Sequence, residues 1–363
     1  MNKKILWAIL VIVVIGIIYI SFRNSPIDKS SGDNQGIKIG AVLSLSGPAV
    51  QDGESIKNGI ELAKSDLKKK GINVEIIYQD DQTDGKNTVS AINMLSGQGV
   101  QAIIGPTWSF LGDAGVPVVD KLKLVSIMPA NTSEYVNAKS PYAFYTTTKV
   151  SQLVTTLADW LKKNNKKSIA MISNQGAWYS TVEKAVKEAA NLADAKIVFN
   201  ESIVFGQEAT SLPTVLAKMK NAKADILFTE IDSDAGVAVM FKKISELQMT
   251  GDVMSISTSI GRVVRSNPDG LNFGNNKVYV LAPVTSNEFI SKYEAFYGQK
   301  PSAYADTAYD SLMLLVDAIQ NKGETDLAYY LRNVTDYQGF AHKYQFDLNG
   351  DIVGGNWVVN TIK

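Results

Sequence analysis

No cysteine occurs in the 363 residues, and there is a single histidine, His342. The first absence removes disulfides, thiolate metal sites, cysteine nucleophiles and the lipidated cysteine of a bacterial lipoprotein. The second leaves little material for a histidine-based triad or a multi-histidine metal site. A charge excess of either sign is also missing, since 36 Lys and Arg balance 36 Asp and Glu. No uniform basic field exists to hold a nucleic-acid backbone, so no nucleic-acid partner is expected. The activated-serine motif G-x-S-x-G is absent as well, and with it the simplest route to a hydrolase. No catalytic residue is assigned and an enzyme is not expected. What is present is globular: 45% hydrophobic and 20% charged residues, in a chain long enough for two cores.

One long hydrophobic run stands apart. Residues 5–22, ILWAILVIVVIGIIYISF, carry no charge, and at about 1.5 Å per residue they span roughly 27 Å, close to the ~30 Å of a bilayer core. Lys3 and Lys4 precede the run, which places the short N-terminus in the cytoplasm and the remainder outside. A cleaved signal peptide would have an apolar stretch of about 7–15 residues ending in small side chains. This one is longer and ends in Ile18, Tyr19, Ile20, Ser21 and Phe22. The run therefore predicts a membrane anchor over residues 1–22, with secretion to the periplasm as the alternative if it is cleaved. Residues 23–36, RNSPIDKSSGDNQG, are polar and read as a flexible linker.

From residue 37 short β-rich runs alternate with amphipathic helices. IKIGAVL (37–43), VEIIYQ (74–79), QAIIG (101–105), SIAMIS (168–173), KIVFNESI (196–203) and ADILFTE (224–230) are near-continuous apolar strands, as in parallel sheets covered on both faces. Helical patterns separate them. The expectation is an α/β protein with two doubly wound parallel-sheet lobes. Such sheets bind ligands beyond the carboxyl ends of their strands, so the loops at 44–53, 80–86, 105–110, 128–133, 174–179, 230–234 and 257–262 are the ones to inspect.

SLSGPAVQDGESIKNG (44–59) matches neither GxGxxG nor GxxxxGK[ST], so no nucleotide site is assigned. IGPTWSF (104–110) puts Ser109 at a helix start beside Trp108, and MPANTSEY (128–135) repeats the pattern with Thr132. Two hydroxyl-bearing helix starts on adjacent strands would hold a carboxylate with amides, hydroxyls and helix dipoles, needing no Arg or Lys. NQGAWYSTVEK (174–184) offers Trp178 and Tyr179, and TEIDSDAG (229–236) offers Glu230 and Asp232 to pair with a cation. DDQTDG (80–85) has Ala91 where a calcium loop needs its twelfth-position acid, and DLNGD (347–351) is a short turn. Both read as turns and caps. No metal and no cofactor are expected.

Several stretches then combine: IGAVLSLSGPAVQDGESIKNGIELA, IIYQDDQTDGKNTVSAINML, VQAIIGPTWS, VSIMPANT, PYAFYTTT, KPSAYADTAYDSLMLLVDAI and YQFDLNGD. In this order the chain from 37 to 363 resembles the ABC-transporter solute-binding proteins of the branched-chain amino acid (Leu/Ile/Val-binding) type. The resemblance implies the type I periplasmic binding fold, with lobes at 37–148 plus 283–338 and 149–282 plus 339–363. Chain crossings are implied near 147–150, 281–285 and 337–341. It gives Ser109, Ala130 and Thr132, with Asn131 between the last two, to the ligand's carboxylate, and Asp52 and Trp178 to the pocket wall. The family's amino-acid binders hold the ammonium with a Glu in the loop that here reads SISTSIG (255–261). Ser257 and Thr258 stand there instead.

A buried ammonium without an anion is costly. Either Asp52, Glu230 or Asp232 supplies the counter-charge, or the ligand is an amide, an aromatic acid or another short carboxylate. The implied function is a monomeric extracytoplasmic receptor that delivers a small molecule to an ABC permease by hinge closure. The alternative is a ligand-sensing ectodomain acting through a membrane partner.

Overall fold

The computed structural model describes residues 36–267 and 276–362. The apolar run at 5–22 and the linker, apart from Gly36, lie outside the described residues. Among the described residues no helix is long and apolar enough to cross a membrane.

β1 (Ile37–Leu43) is buried over its last five residues, as its unbroken apolar sequence requires. It pairs in parallel with β2 (Val74–Asp80) on one side and β3 (Ala102–Ile104) on the other. β4 (Ser126–Met128) and β5 (Ala143–Tyr145) complete a parallel sheet of order β2-β1-β3-β4-β5. Between these strands run α1 (Val50–Lys69), α2 (Gly85–Gly97) and α3 (Ser109–Leu122). Asp84 caps α2 by accepting from the amides of Lys86 and Asn87. The stretch 80–85 is thus a turn and a cap: Asp80 accepts from Ser46 Oγ at 2.6 Å and Asp81 from Ser44 Oγ at 2.7 Å. These bonds tie the loop after β2 to the loop after β1.

The chain then builds a second sheet. α4 (Leu153–Lys163) leads into β6 (Ser168–Asn174), α5 (Ala177–Leu192), β7 (Lys196–Ile203), α6 (Glu208–Lys220), β8 (Ile226–Glu230), α7 (Asp234–Glu246), β9 (Asp252–Ser255), α8 (Thr258–Ser266) and β10 (Val278–Pro283). α9 (Asn287–Tyr297), α10 (Ala305–Asn321) and α11 (Leu327–Arg332) return to the first sheet, where Phe289, Tyr309 and Leu312 join Ile39, Ile56 and Phe144 in one core. A short hairpin of β11 (Tyr337–Gln338) and β12 (Lys343–Tyr344) follows, and β13 (Trp357–Thr361) closes the second sheet antiparallel to β10. That sheet has the order β13-β10-β9-β8-β6-β7.

The chain passes between the two sheets three times: after β5, after β10, and before β13. Thr146, Thr147 and Thr148 in the first passage are buried. The first and third passages are stitched together, since Lys149 pairs with Asp347 at 2.8 Å and Trp357 Nε1 donates to the Lys149 carbonyl at 2.9 Å. Tyr344, Phe346 and Ile352 pack in the first sheet's core. The third passage therefore lies at 353–356 and not at 337–341, because the aromatic residues of the hairpin are apolar surface that the first core buries. The loop after β4 differs too. Residues 129–137 form turns and no helix, so of the two expected helix N-termini only that of α3 exists.

Candidate functional site

In a doubly wound sheet, strands on either side of the reversal point send their following loops apart and leave a crevice. Here the reversals fall between β1 and β3 in the first sheet and between β6 and β8 in the second. Two glycines let the first pair of loops come close. A Cβ on Gly105 (φ +105°) would lie 2.0 Å from the Val42 carbonyl oxygen, and one on Gly53 would lie 2.0 Å from that of Ser44. The carboxyl ends of both sheets wall one cavity of about 500 Å³, within the range of small-molecule sites.

Ten of the twelve residues singled out from sequence line this cavity. Asp52, Trp108, Ser109, Ala130 and Asn131 come from the first sheet's loops, and Trp178, Tyr179, Asp232, Ser257 and Thr258 from the second's. Thr132 and Glu230 do not line it. Thr132 is fully buried behind Asn131, its Oγ1 taken up by the amide of Glu134 at 3.4 Å. Glu230, the last residue of β8, is 1% exposed. Aromatic rings meet across the cavity from the two sides: Trp108 lies edge-to-face with Phe205 at 6.1 Å, and Tyr135 with Trp178 at 4.8 Å. Ser109 and Phe110, the opening residues of α3, also face it, which turns that helix's positive end toward any anion inside.

The serine-rich loop after β9 lacks an acid, but its hydroxyls and amides hold the acids of the loop after β8. Ser257 Oγ donates to Asp232 Oδ1 at 2.7 Å, and Tyr179 OH donates to Asp232 Oδ2 at 2.8 Å. Glu230 Oε1 accepts from Ser255 Oγ at 2.8 Å and from the Ile256 amide at 2.6 Å. Asn174, at the end of β6, accepts from the Asp232 amide. Ser233 caps α7 and Ser257 caps α8, so one loop serves both helix capping and carboxylate positioning.

Burial, together with the neighbouring Asp232 charge, raises the Glu230 carboxyl from its ordinary 4.5 to about 8. Burial also raises Asp232. A carboxyl raised on folding adds stability that is fully present below its unfolded value and is lost as pH rises through the folded one. The ligand-free protein should therefore lose stability from Glu230 between about pH 4.5 and pH 8. Glu230→Gln, neutral throughout, should melt higher than the parent at pH 8.5 and no higher at pH 5. Melting curves across that range check it, and a constant difference at all pH values would refute the assignment.

Sequence reasoning missed Arg262, Tyr135, Phe205 and Tyr304. Arg262, in α8, reaches across the cavity mouth. Its Nη1 lies 3.1 Å from Asp52 Oδ1 in α1, and its Nη2 lies 3.0 Å from Asp234 Oδ1. Asp52 also accepts from Trp108 Nε1 at 3.0 Å and from Thr258 Oγ1 at 3.3 Å. The signal was available: Asp52 is a buried acid in need of a partner, and 257–262 ends on one of the two cations of the inspected loops, the other being Lys86. Tyr304 precedes α10 at φ +70°, and no local pattern marks it. The acidic stretch 347–351 is a turn, with Asp347 accepting from the amides of Asn349 and Asp351. Among the described residues no three acids or histidines gather as a metal site would require.

Two parallel α/β sheets facing one cavity across a three-segment connection define a bilobal binding-protein architecture. A sequence model of the periplasmic binding proteins matches residues 36–362, and the chain belongs to that family. Over 305 residues it is 26% identical to Leu/Ile/Val-binding protein homolog 3 of Brucella melitensis, covering 80% of each chain. Over 349 residues it is 23% identical to the Leu/Ile/Val-binding protein of Escherichia coli K12, covering 93% of this chain and 92% of that one.

Two solved structures share the fold. One is the branched-chain amino acid transporter substrate binding protein of Streptococcus pneumoniae in complex with isoleucine, with a TM-score of 0.77 and 18% identity. It covers 90% of this chain and 100% of its own. The other is a solute binding protein of an ABC transporter from R. palustris in complex with benzoate, with a TM-score of 0.76 and 16% identity over 90% and 93% of the two chains. These relatives are solute-binding proteins and not enzymes, and the family implies an extracytoplasmic location.

Proposed function

We propose that the protein is an extracytoplasmic receptor that closes on a small carboxylate- or amide-bearing solute, amino acids included, and hands it to an ABC permease. Its lobes would be residues 37–148 with 284–352 and 149–283 with 353–362. The observation that carries this reading is the cavity itself, whose wall is drawn in equal part from loops at the carboxyl ends of both sheets. A solute there touches both lobes only when they are together, so its binding energy favours the closed arrangement. Ser109 at the start of α3 and Ala130 in the loop after β4 would receive the carboxylate. Asp52, Trp108, Trp178, Tyr179, Ser257 and Thr258 would form the remaining wall. The names of the relatives, and the isoleucine and benzoate held by structural neighbours, agree with a solute of this size.

A mass spectrum of protein purified under native conditions, set beside one of denatured protein, tests the reading. A retained small carboxylate or amide that is released on unfolding is expected. Loss of the gene should also abolish uptake of that solute at low concentration. A protein that retains nothing and whose melting point no amino acid, amide or aromatic acid raises would refute it.

A further inference from the structure

The loop after β4 has two faces. On one, Ala130, Asn131 and Tyr135 line the cavity. On the other, Ser133 and Glu134 hold the two sides of the hinge. Ser133 donates through its amide to Asp351 Oδ1 at 2.8 Å and through its hydroxyl to Asp351 Oδ2. Asp351 is buried near the end of the first lobe's last segment, and its carboxylate also meets Lys149 Nζ at 3.3 Å. Glu134 reaches the other way. Its Oε1 and Oε2 accept from the Ser151 amide at 3.3 and 3.2 Å, in the 3-10 turn Val150–Gln152 that leads into α4 of the second lobe.

This acceptor comes from outside the helix it serves. Neither Lys149 nor Gln152, which precede the 3-10 turn and α4, bonds an amide there with its own side chain. A carboxylate at that point satisfies an orphan amide and faces the positive end of the helix. The loop that carries it is closed on itself, because Tyr135 OH donates to the Ala130 carbonyl at 3.0 Å. Asn131 Nδ2 pins it to the Pro106 and Thr107 carbonyls, and Thr307 Oγ1 pins it at the Pro129 carbonyl. The hinge has an equally definite position. The Lys149 side chain is held by Asp347 and Asp351 of the first lobe, while its carbonyl accepts from Trp357 Nε1 of the second. Ser151 lies two residues further on, at most about 7 Å along the chain. A turn of about 25° at Lys149 would shift its amide by up to about 3 Å, enough to lose Glu134.

We propose that Glu134 is a positioning residue for closure, bonding the first turn of the second lobe when the lobes are together and releasing it when they part. The inference rests on the receptor reading above and adds to it a contact outside the cavity wall. A solute that bears on Ala130 and Asn131 steadies the loop, and the steadied loop presents Glu134 to Ser151. Solute and cap therefore favour the same arrangement. The Glu134–Ser151 bond acts at the hinge, where the Asp52–Arg262 pair acts at the cavity mouth.

The chain has no cysteine of its own, so a spin-label pair can be placed cleanly at Lys86→Cys in α2 and Ala209→Cys in α6, exposed positions near strand ends of the two lobes. Distances between the labels are measured without solute and with L-leucine, L-phenylalanine or benzoate, and calorimetry gives the affinities. The parent should shift to a shorter distance with at least one probe. Glu134→Ala should bind that probe about 5- to 10-fold more weakly and lower the short-distance fraction at subsaturating probe. Glu134→Gln, which keeps an acceptor oxygen, should recover most of the loss. Glu134→Asp, one methylene too short to reach Ser151, should behave as the alanine variant does and keeps the test open if that variant folds poorly. A merely structural Glu134 would lower the melting point and leave the distances of the folded protein unchanged. That result, or unchanged affinity, overturns the inference and leaves the receptor reading standing. If no probe alters the parent's distances, closure itself fails and both fall.

Discussion

Arg262→Ala is expected to weaken solute binding by about 30- to 150-fold and to speed release, although Arg262 is not part of the cavity wall. In the closed arrangement Arg262 joins α8 of the second sheet to Asp52 of the first, with side-chain exposures of only 18% and 9%. Removing the guanidinium leaves Asp52 with Trp108 Nε1 and Thr258 Oγ1 as its donors and no counter-charge. Breaking a buried ion pair typically costs 3–5 kcal/mol; partial exposure brings the figure here to about 2–3 kcal/mol. That cost falls on the closed form alone, because parted lobes leave both groups in water, so it appears as lost affinity, mostly through the off-rate. Asp52→Asn should lose less, since it removes the buried charge along with its partner's purpose, and the double variant should be less than additive. Equal affinities for the parent and Arg262→Ala would show that the pair does not act in closure.

Trp178→Ala carries the second large effect, a loss of more than about tenfold in affinity with little loss of stability. Trp178 opens α5 and is half-buried, its ring packed at 82° against Tyr135 from the other sheet. Truncation removes an aromatic wall from the site and one of the two ring contacts that bridge the sheets. Trp178 packs against the second sheet's core from its edge and is not among the fully buried side chains, so truncation costs the core little. Calorimetry gives the affinity and a melting curve the stability. A large drop in melting point without ligand would make Trp178 a core residue instead.

Much of the fold was legible because parallel strands buried on both faces leave unbroken apolar runs. IKIGAVL falls on β1 to the residue for that reason; KIVFNESI falls on β7 to the residue as well, but as an edge strand whose exposure alternates. The loops to inspect followed from the strand ends, and ten of twelve chosen residues face one cavity for that reason. What failed was non-local. The passage before β13 was misplaced because it depends on which core buries Tyr344 and Phe346, and no local pattern records that. A helix was expected after β4 from hydroxyl spacing alone, but Thr132 and its neighbours close a turn instead. Arg262 was overlooked because its partner, Asp52, lies 210 residues away in sequence. Thr132 and Glu230 belong to the layer behind the wall, a distinction that strand-end position does not make.

Solution scattering with and without the retained solute probes hinge closure most directly. Saturating solute should reduce the radius of gyration of the parent protein and bring its curve onto that calculated from the closed arrangement, while Arg262→Ala should need more solute for the same contraction. Superimposable curves at zero and saturating solute, in a protein shown by calorimetry to bind, would contradict a receptor that works by closing two lobes on its ligand.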